Sequence, residues 1–566
     1  MMMNRSKSAL HVGAALCGLS VAFSGYSTAL AAPRHQTSTA LVADAQMKAL
    51  EDRIAALERV VALQQQQQLR AEAVRQQTAA GAEHDAVQIA SETQMKVEQL
   101  PAQRQASIAA AHPGTDKIYV KGVSVTLGGF FEAAGIYRSR DETADIASSF
   151  ARIPFANDRA SHTGETRITA RQTKISALVE GDITQSTRAY GFGEIDFQGA
   201  AQNGNSIEAG GYNPRLRQLY VQLDLDKPGL SVMAGQAWSL LTTNNKGIVL
   251  RTETPPPTID AQFVPGFVWT RQPQVRLTKR IGQSLWFAVS IEGPQTTFGG
   301  SGAPSGVTVT STQLPTSGYN SANNYSLNKY PDLIGKAAWD GTIGGHSLHA
   351  ELFGMMRSFY DRVSIAPSPG TQAAVLGLVA GTRNRSSTGG GYGASLTAQL
   401  VPKLLDVQAS ILRGRGLGRY GSGQLPDVTV RPDGELWGIG ETLWLAGATL
   451  HATRQLDLYL YGGGERESPT VYRPTSLTGT SFGYGTLPGS NNAGCIVEGG
   501  TCTALTRSIS QITGGFWDRV YQGPFGRVQI GAQYSRTVRK TFADAQGLAP
   551  TAKENAIFGA LRYYPF

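Results

Sequence analysis

Cations and carboxylates recur in this chain at spacings that would let them face one another across a water-filled space. Lys174, Arg215, Arg217, Arg271 and Arg276 fall in three stretches of alternating polarity, and Glu194 and Asp196 lie two apart in a fourth. Residues 241–266 form a longer segment that carries Glu253, Asp260 and the stiff run Pro255-Pro256-Pro257. Guanidinium groups let an anion exchange its hydration for charge-assisted hydrogen bonds, and fixed charges of opposite sign across a constriction orient dipolar solutes. That is recognition chemistry, not bond-making chemistry. Gly479-Thr480-Ser481-Phe482-Gly483 matches the nucleophile-elbow string, but it lies in a long polar connection without the strand-turn-helix setting that exposes such a serine. Gly416, Gly418 and Gly421 match G-x-G-x-x-G with no βαβ unit around them. His349 beside Glu351 reads as wall lining. No catalytic residue, metal ligand or cofactor is expected, and the basic balance is spread over strands, which argues against nucleic acid.

The elements that must position these charges are strands. Val125, Leu127, Phe131, Ala133 and Tyr137 alternate with Ser124, Thr126, Glu132 and Arg138, and the same period of two recurs in 189–197, 348–357 and 528–535. Beyond the first thirty residues no apolar run is long enough to cross a bilayer as a helix. The 66 Gly, 20 Tyr and 19 Phe among 566 residues favour tight turns and interfacial aromatics. Connections alternate between short (181–186, 226–229, 280–283, 341–346, 401–404, 453–455, 522–525) and long (141–165, 198–212, 241–266, 294–330, 360–388, 415–436, 468–506, 543–553). The expectation is an all-β, transmembrane antiparallel barrel of about sixteen strands, wide enough to enclose an aqueous channel, with both termini on the short-turn, periplasmic side. Within it, 241–266 is the expected constriction loop. Pleat parity puts Lys174 and Arg276 in the lumen if Ile175, Ala177, Val275 and Leu277 face lipid. Arg171, Arg215, Arg217 and Arg271 have the opposite parity, costing roughly 2–4 kcal/mol each near the midplane, so they must sit above the apolar band or be turned inward by a bulge, as Pro273 suggests for Arg271.

The ends carry other signals. Arg5 and Lys7, an apolar stretch and Ala29-Leu30-Ala31 make residues 1–31 an expected secretory signal peptide, whose removal takes the net charge from +9 to +7. Residues 32–70 contain a coiled-coil seam at Met47, Leu50, Ile54, Leu57 and Val61, spaced by three and four. Residues 71–117 read as a polar linker and 118–566 as the barrel. After export into an oxidising compartment, Cys495 and Cys502 are expected to form a disulfide stapling an exposed loop. Phe566 ends a stretch that resembles the closing strand of outer-membrane barrels, the signal read by the barrel-assembly machinery; Pro565, and Arg562 on the parity of Phe566, predict a local shift of register.

Three motifs carry a more specific resemblance. Ala234-Gly235-Gln236-Ala237-Trp238-Ser239, Arg271-Gln272-Pro273-Gln274-Val275-Arg276 and Gly414-Arg415-Gly416-Leu417-Gly418-Arg419-Tyr420, together with the N-terminal heptads, resemble the DcaP-like porins over essentially the mature chain. That resemblance implies a homotrimer of barrels in outer-membrane lipid, taking up small organic anions such as dicarboxylates. The alternatives from other classes are an outer-membrane barrel enzyme of phospholipase or protease type, and an adhesin or secretion pore. A plugged transporter is disfavoured because coiled coil and linker occupy the place of a plug.

Overall fold

The computed structural model describes residues 117–199, 212–312 and 325–566. Sixteen long antiparallel strands close into a barrel. In chain order they are β1 (Val123–Arg138), β2 (in two segments, Glu165–Thr169 and Lys174–Thr184), β3 (Thr187–Asp196), β4 (Arg215–Leu225), β5 (Leu230–Trp238), β6 (Arg271–Ile281), β7 (Leu285–Glu292) and β8 (Asp332–Ile343). There follow β9 (His346–Ile365), β10 (Gly381–Val401), β11 (Leu405–Arg415), β12 (Gly440–His451), β13 (Leu456–Glu467), β14 (Thr506–Gly523), β15 (Gly526–Thr541) and β16 (Thr551–Tyr564). Each strand pairs with the next, and β1 closes on β16 with Tyr137 opposite Ile557. A short strand, Lys117–Val120, folds back onto the start of β1.

The period of two decides which side of each strand meets which solvent. On β9, Leu352 and Met356 are 67% and 65% exposed on the outside, while Glu351, Phe353 and Met355, of the opposite parity, are buried inside. The same alternation runs along β6, β8 and β16. An exterior so rich in exposed Leu, Ile, Val and aromatic side chains would be costly in water and is stable in hydrocarbon. Turn chemistry sets the register. Between β8 and β9 the two-residue turn Gly344-Gly345 has φ of +59° and +86°, the mirror-image turn that matches strand twist and that glycine adopts without steric cost.

Two boundaries differ from the expectation. About half of the connection expected over 360–388 is strand, since β9 continues to Ile365 and β10 starts at Gly381. Beyond Met356 the outward residues of this hairpin are polar and pair across it, with Arg362 Nη1 donating to Asn384 Oδ1 at 2.8 Å, so the ladder continues where apolar alternation has stopped. At the C-terminus the expected register shift does not occur. Arg562 points inward to Glu132, the pairing of β16 with β1 and β15 is unbroken, and the strand ends at Tyr564, so Phe566 lies beyond it, about half exposed.

The signal segment, the seam at Met47, Leu50, Ile54, Leu57 and Val61, and the linker up to residue 116 lie outside the described residues. Because every barrel strand begins at Val123 or later, deleting residues 32–115 is expected to leave a barrel that still shows a heat-modifiable band on gels and still conducts; loss of that band would show that the N-terminal segment is needed for folding.

Candidate functional site

The third long connection, residues 239–270, enters the lumen and is tied to lumen-facing side chains from one wall to the other. Lys336 Nζ on β8 donates to Thr242 O at 2.7 Å, and Asn244 N donates to Glu351 on β9 at 3.1 Å. Further along, Gln408 Nε2 on β11 donates to Thr254 O at 2.9 Å and Trp517 Nε1 on β14 to Pro257 O at 2.8 Å. Ile259 N reaches Gln533 on β15 at 2.5 Å, and on the way back Gly266 N donates to Glu465 on β13 at 2.8 Å. A loop buried inside a barrel must have its backbone groups satisfied, and polar wall residues do this at each step. Gly266 has φ of +94°, and a Cβ there would sit 2.0 Å from Trp444 O, so only glycine lets the loop lie this close to the wall. Trp238, Phe263 and Phe267 knot the two ends together with ring centroids 5.0 to 6.2 Å apart.

On one side of this loop, β2, β3 and β4 carry a compact charge network. Between Glu194 opposite Gln218 and Ile195 opposite Leu216 the register slips, leaving Arg217 as an extra residue. This bulge turns Arg217 inward beside Gln218, and the shifted parity brings Arg215 in as well. Arg217 donates to Glu194 Oε1 at 2.6 Å and to Asp196 Oδ2 at 2.8 Å. Arg215 grips Asp196 with two bonds of 3.0 and 2.6 Å, and Lys174 Nζ lies 3.1 Å from Glu194. Three cations share two carboxylates, leaving one positive charge in excess. The carboxylates are buried, whereas the side chains of Lys174 and Arg215 are 28% and 30% exposed.

Other expected lining residues are placed differently. Arg276 has lumen parity but is only 3% exposed, with Nη2 donating to Trp238 O at 2.6 Å; it backs the infolded loop instead of facing solute. Arg271 is not turned by a bulge at Pro273, since β5 and β6 pair without interruption; as the first residue of β6 it folds its guanidinium over the Trp238 ring at 4.6 Å. Arg171 lies between the two segments of β2, where it donates to Phe197 O and Gly199 O at 3.1 and 2.9 Å. Asp260, expected on the constriction, is fully buried and accepts from Ser148 N and Gln262 N at 3.1 and 2.9 Å, joining the infolded loop to the first long loop. Burial pushes its carboxyl up to about 6. Glu253 is half-buried at the edge of a cavity of about 720 Å³ on the short-turn side, shared with Lys246, His349, Asp406 and His451. The exposed charges of the loop are therefore Lys246 and Arg251, two cations that the expected carboxylate face left out. Arg251 has φ of +69° and lies 5.9 Å over the Phe192 ring. A non-glycine residue held left-handed marks a position fixed by its surroundings, but sequence spacing gives no hint of it.

Cys495 and Cys502 are joined in a disulfide. The site is packed rather than exposed: Cys495 is buried with Ile153, Phe155 and Ala552, and its carbonyl accepts from Asn157 N at 3.1 Å, so the bridge holds the seventh long loop onto the first. Among the described residues no group of three or more His, Cys, Asp or Glu side chains is arranged to hold a metal.

An apolar-walled barrel of sixteen strands with a loop folded across a polar lumen is the architecture of outer-membrane channels. Among solved structures it is similar to the outer membrane channel DcaP of Acinetobacter baumannii, at 16% identity over 79% of this chain and 99% of that chain, with a TM-score of 0.53. An anion-selective porin from Comamonas acidovorans (11% identity; 78% and 99% covered; TM-score 0.41) and OprB of Pseudomonas putida (9%; 77% and 94%; 0.42) are more distant. No family model matches the chain, and no curated protein matches it.

Proposed function

We propose that this chain is an outer-membrane porin, a homotrimer in lipid whose water-filled lumen passes small hydrophilic solutes by diffusion and favours organic anions such as dicarboxylates. The observation that carries the reading is the infolded loop: it narrows the lumen and leaves cations in contact with water. Lys174, Arg215, Lys246 and Arg251 are at least partly exposed, while the carboxylates paired with the first two are buried. Their excess positive potential would raise the local concentration of anions, and guanidinium groups would replace part of the hydration lost on entry. Glu253 and Asp406 temper this on the short-turn side. The barrel-enzyme reading has less support, because Ser481 precedes a three-residue strand, Phe482–Tyr484, instead of joining a strand to an α-helix.

The test is the reversal potential of the pure protein in a planar bilayer under a salt gradient, with block by succinate. The double variant Lys174→Gln/Arg215→Gln is expected to lower the anion-to-cation permeability ratio about two- to fivefold at low salt, because it removes the water-exposed cations of the β2–β4 network. The difference should fade near 1 M salt, where screening shortens the reach of a fixed charge to about 3 Å. A wild-type channel that already prefers cations would remove the anion assignment while leaving the porin.

A further inference from the structure

Charge is sorted across the wall of β11 to β16. Near the long-loop ends of these strands every carboxylate, Glu441, Glu465, Glu467 and Glu554, is buried on the inside. On the outside at the same ends are Arg413, Arg466, Arg536, Lys540 and Lys553, all exposed. Among the described residues none of these five cations takes part in an ion pair, and the backbone wall separates them from the inner carboxylates. Like charges gathered on one surface without partners repel one another, so the arrangement costs stability unless an anion joins it.

Their level relative to the membrane follows from the outward series on each strand. On β11 it runs Val407, Ala409, Ile411, Arg413; on β15 it runs Ile530, Ala532, Tyr534, Arg536; on β16 it runs Leu561, Gly559, Ile557, Asn555, Lys553. Ile411, Trp444, Tyr534 and Ile557 are each between 44% and 52% exposed, forming the upper edge of the lipid-facing band, and the cations begin one outward step above it on β11 and β15 and two steps above it on β16. Aromatic residues at such an edge mark the level of headgroups.

The pairing register adds spacing. One row of outward partners runs Arg413, Thr442, Arg466, Ser508, Lys540, Thr551 across six strands, cations alternating with hydroxyls. Alternate strands are about 10 Å apart, so neighbouring cations in this row are separated by roughly that distance with a hydroxyl donor between them. Two phosphates at opposite ends of a disaccharide match that pattern: each phosphate meets a cation, and the sugars lie over the hydroxyls.

We propose that the outer rim of β11–β16 binds a phosphorylated glycolipid of the outer leaflet, its phosphates on Arg413, Arg466, Arg536 and Lys540 and its acyl chains against the apolar band below. This rests on the transmembrane orientation proposed above, but not on the channel's selectivity. The test uses the full chain in nonionic detergent, titrated with diphosphoryl lipid A, monophosphoryl lipid A or phosphatidylcholine and read by native mass spectrometry. Diphosphoryl lipid A should bind most tightly, with the monophosphoryl form weaker and phosphatidylcholine weakest. The variant Arg413→Gln/Arg466→Gln/Arg536→Gln/Lys540→Gln should lose about tenfold or more in affinity for the diphosphoryl form, the loss shrinking as salt is raised. Unchanged affinity in the variant, or equal affinity for the two lipid A forms, would overturn the proposal; full competition by millimolar inorganic phosphate would reassign the site to free phosphate and overturn it too. If the fourfold variant does not fold, the single reversal Arg466→Glu carries the same comparison. Bilayer conductance of each variant is measured in parallel and should match wild type, so failure of lipid binding and failure of the porin reading are told apart.

Discussion

Replacing residues 243–267 by a short Gly-Ser linker should raise single-channel conductance about threefold or more and abolish most ionic selectivity, because the narrowest cross-section sets both quantities. The loop crosses from β5 to Gln533 on β15 and returns past Glu465 on β13, so its removal clears the lumen rather than trimming one side. The barrel itself should survive, since strand pairing continues all the way round without it. Its loss would, however, leave Glu351 and Glu465 without their donors from this loop and take Asn244 from Lys336, so a lower unfolding temperature is expected alongside the larger current. Conductance equal to wild type would mean that the passage is narrowed elsewhere, by the first and sixth long loops.

The largest single-residue effect on stability is expected from Arg357→Ala. Arg357 on β9 is 1% exposed, with Nε 3.2 Å from Asp332 and Nη1 2.7 Å from Asp427, and both carboxylates are equally buried. Its guanidinium also lies 5.3 and 5.2 Å from the Phe359 and Tyr420 rings. Removing it leaves Asp427 without an ion-pair partner among the described residues and Asp332 with Arg419 alone, 3.7 Å away, in a dry site, a cost of about 3–5 kcal/mol. Asp427 belongs to the sixth long loop, so that loop should loosen first and become cleavable between Gly418 and Gly438. The measurement is the temperature at which the heat-modifiable band converts, with limited proteolysis in parallel. Adding Asp332→Asn and Asp427→Asn to Arg357→Ala should recover a large part of the loss, because the damage comes from the stranded charges. A single variant that converts at the wild-type temperature would show the site to be hydrated.

The barrel was legible because its signal is repeated and local. Alternation and the short-long rhythm of connections gave the strand number, and only the β9–β10 hairpin was cut short, since its outer half alternates between polar residues of different kinds. The lumen was harder. Parity assigns Arg276 and Lys174 to one face of their strands but carries no information about what lies over that face, and the loop covers Arg276 while leaving Lys174 partly exposed. For Arg217 the physical choice was visible, either above the apolar band or on a bulge, yet only the pairing of Ile195 with Leu216 shows the bulge. Asp260 was misassigned because composition cannot separate a carboxylate that faces solute from one that pins two loops together. Nothing in the spacing of Lys246 and Arg251 marks them as exposed, since neither lies in a stretch of alternating polarity that would fix its direction.

The anchors of the infolded loop also bear on the order of assembly. Ile259 and its partner Gln533 are 274 residues apart in sequence. Contacts of such separation form late, because the closure entropy of the intervening chain must be overcome before they give anything back. The loop emerges early in the chain, yet the side chains that fix it arrive with β8 through β15. Until those strands have joined, a nascent barrel would have a wide and unselective opening, and its narrowing would be among the last events of maturation. A chain stalled before closure would therefore betray itself by leakiness to solutes that the finished protein excludes.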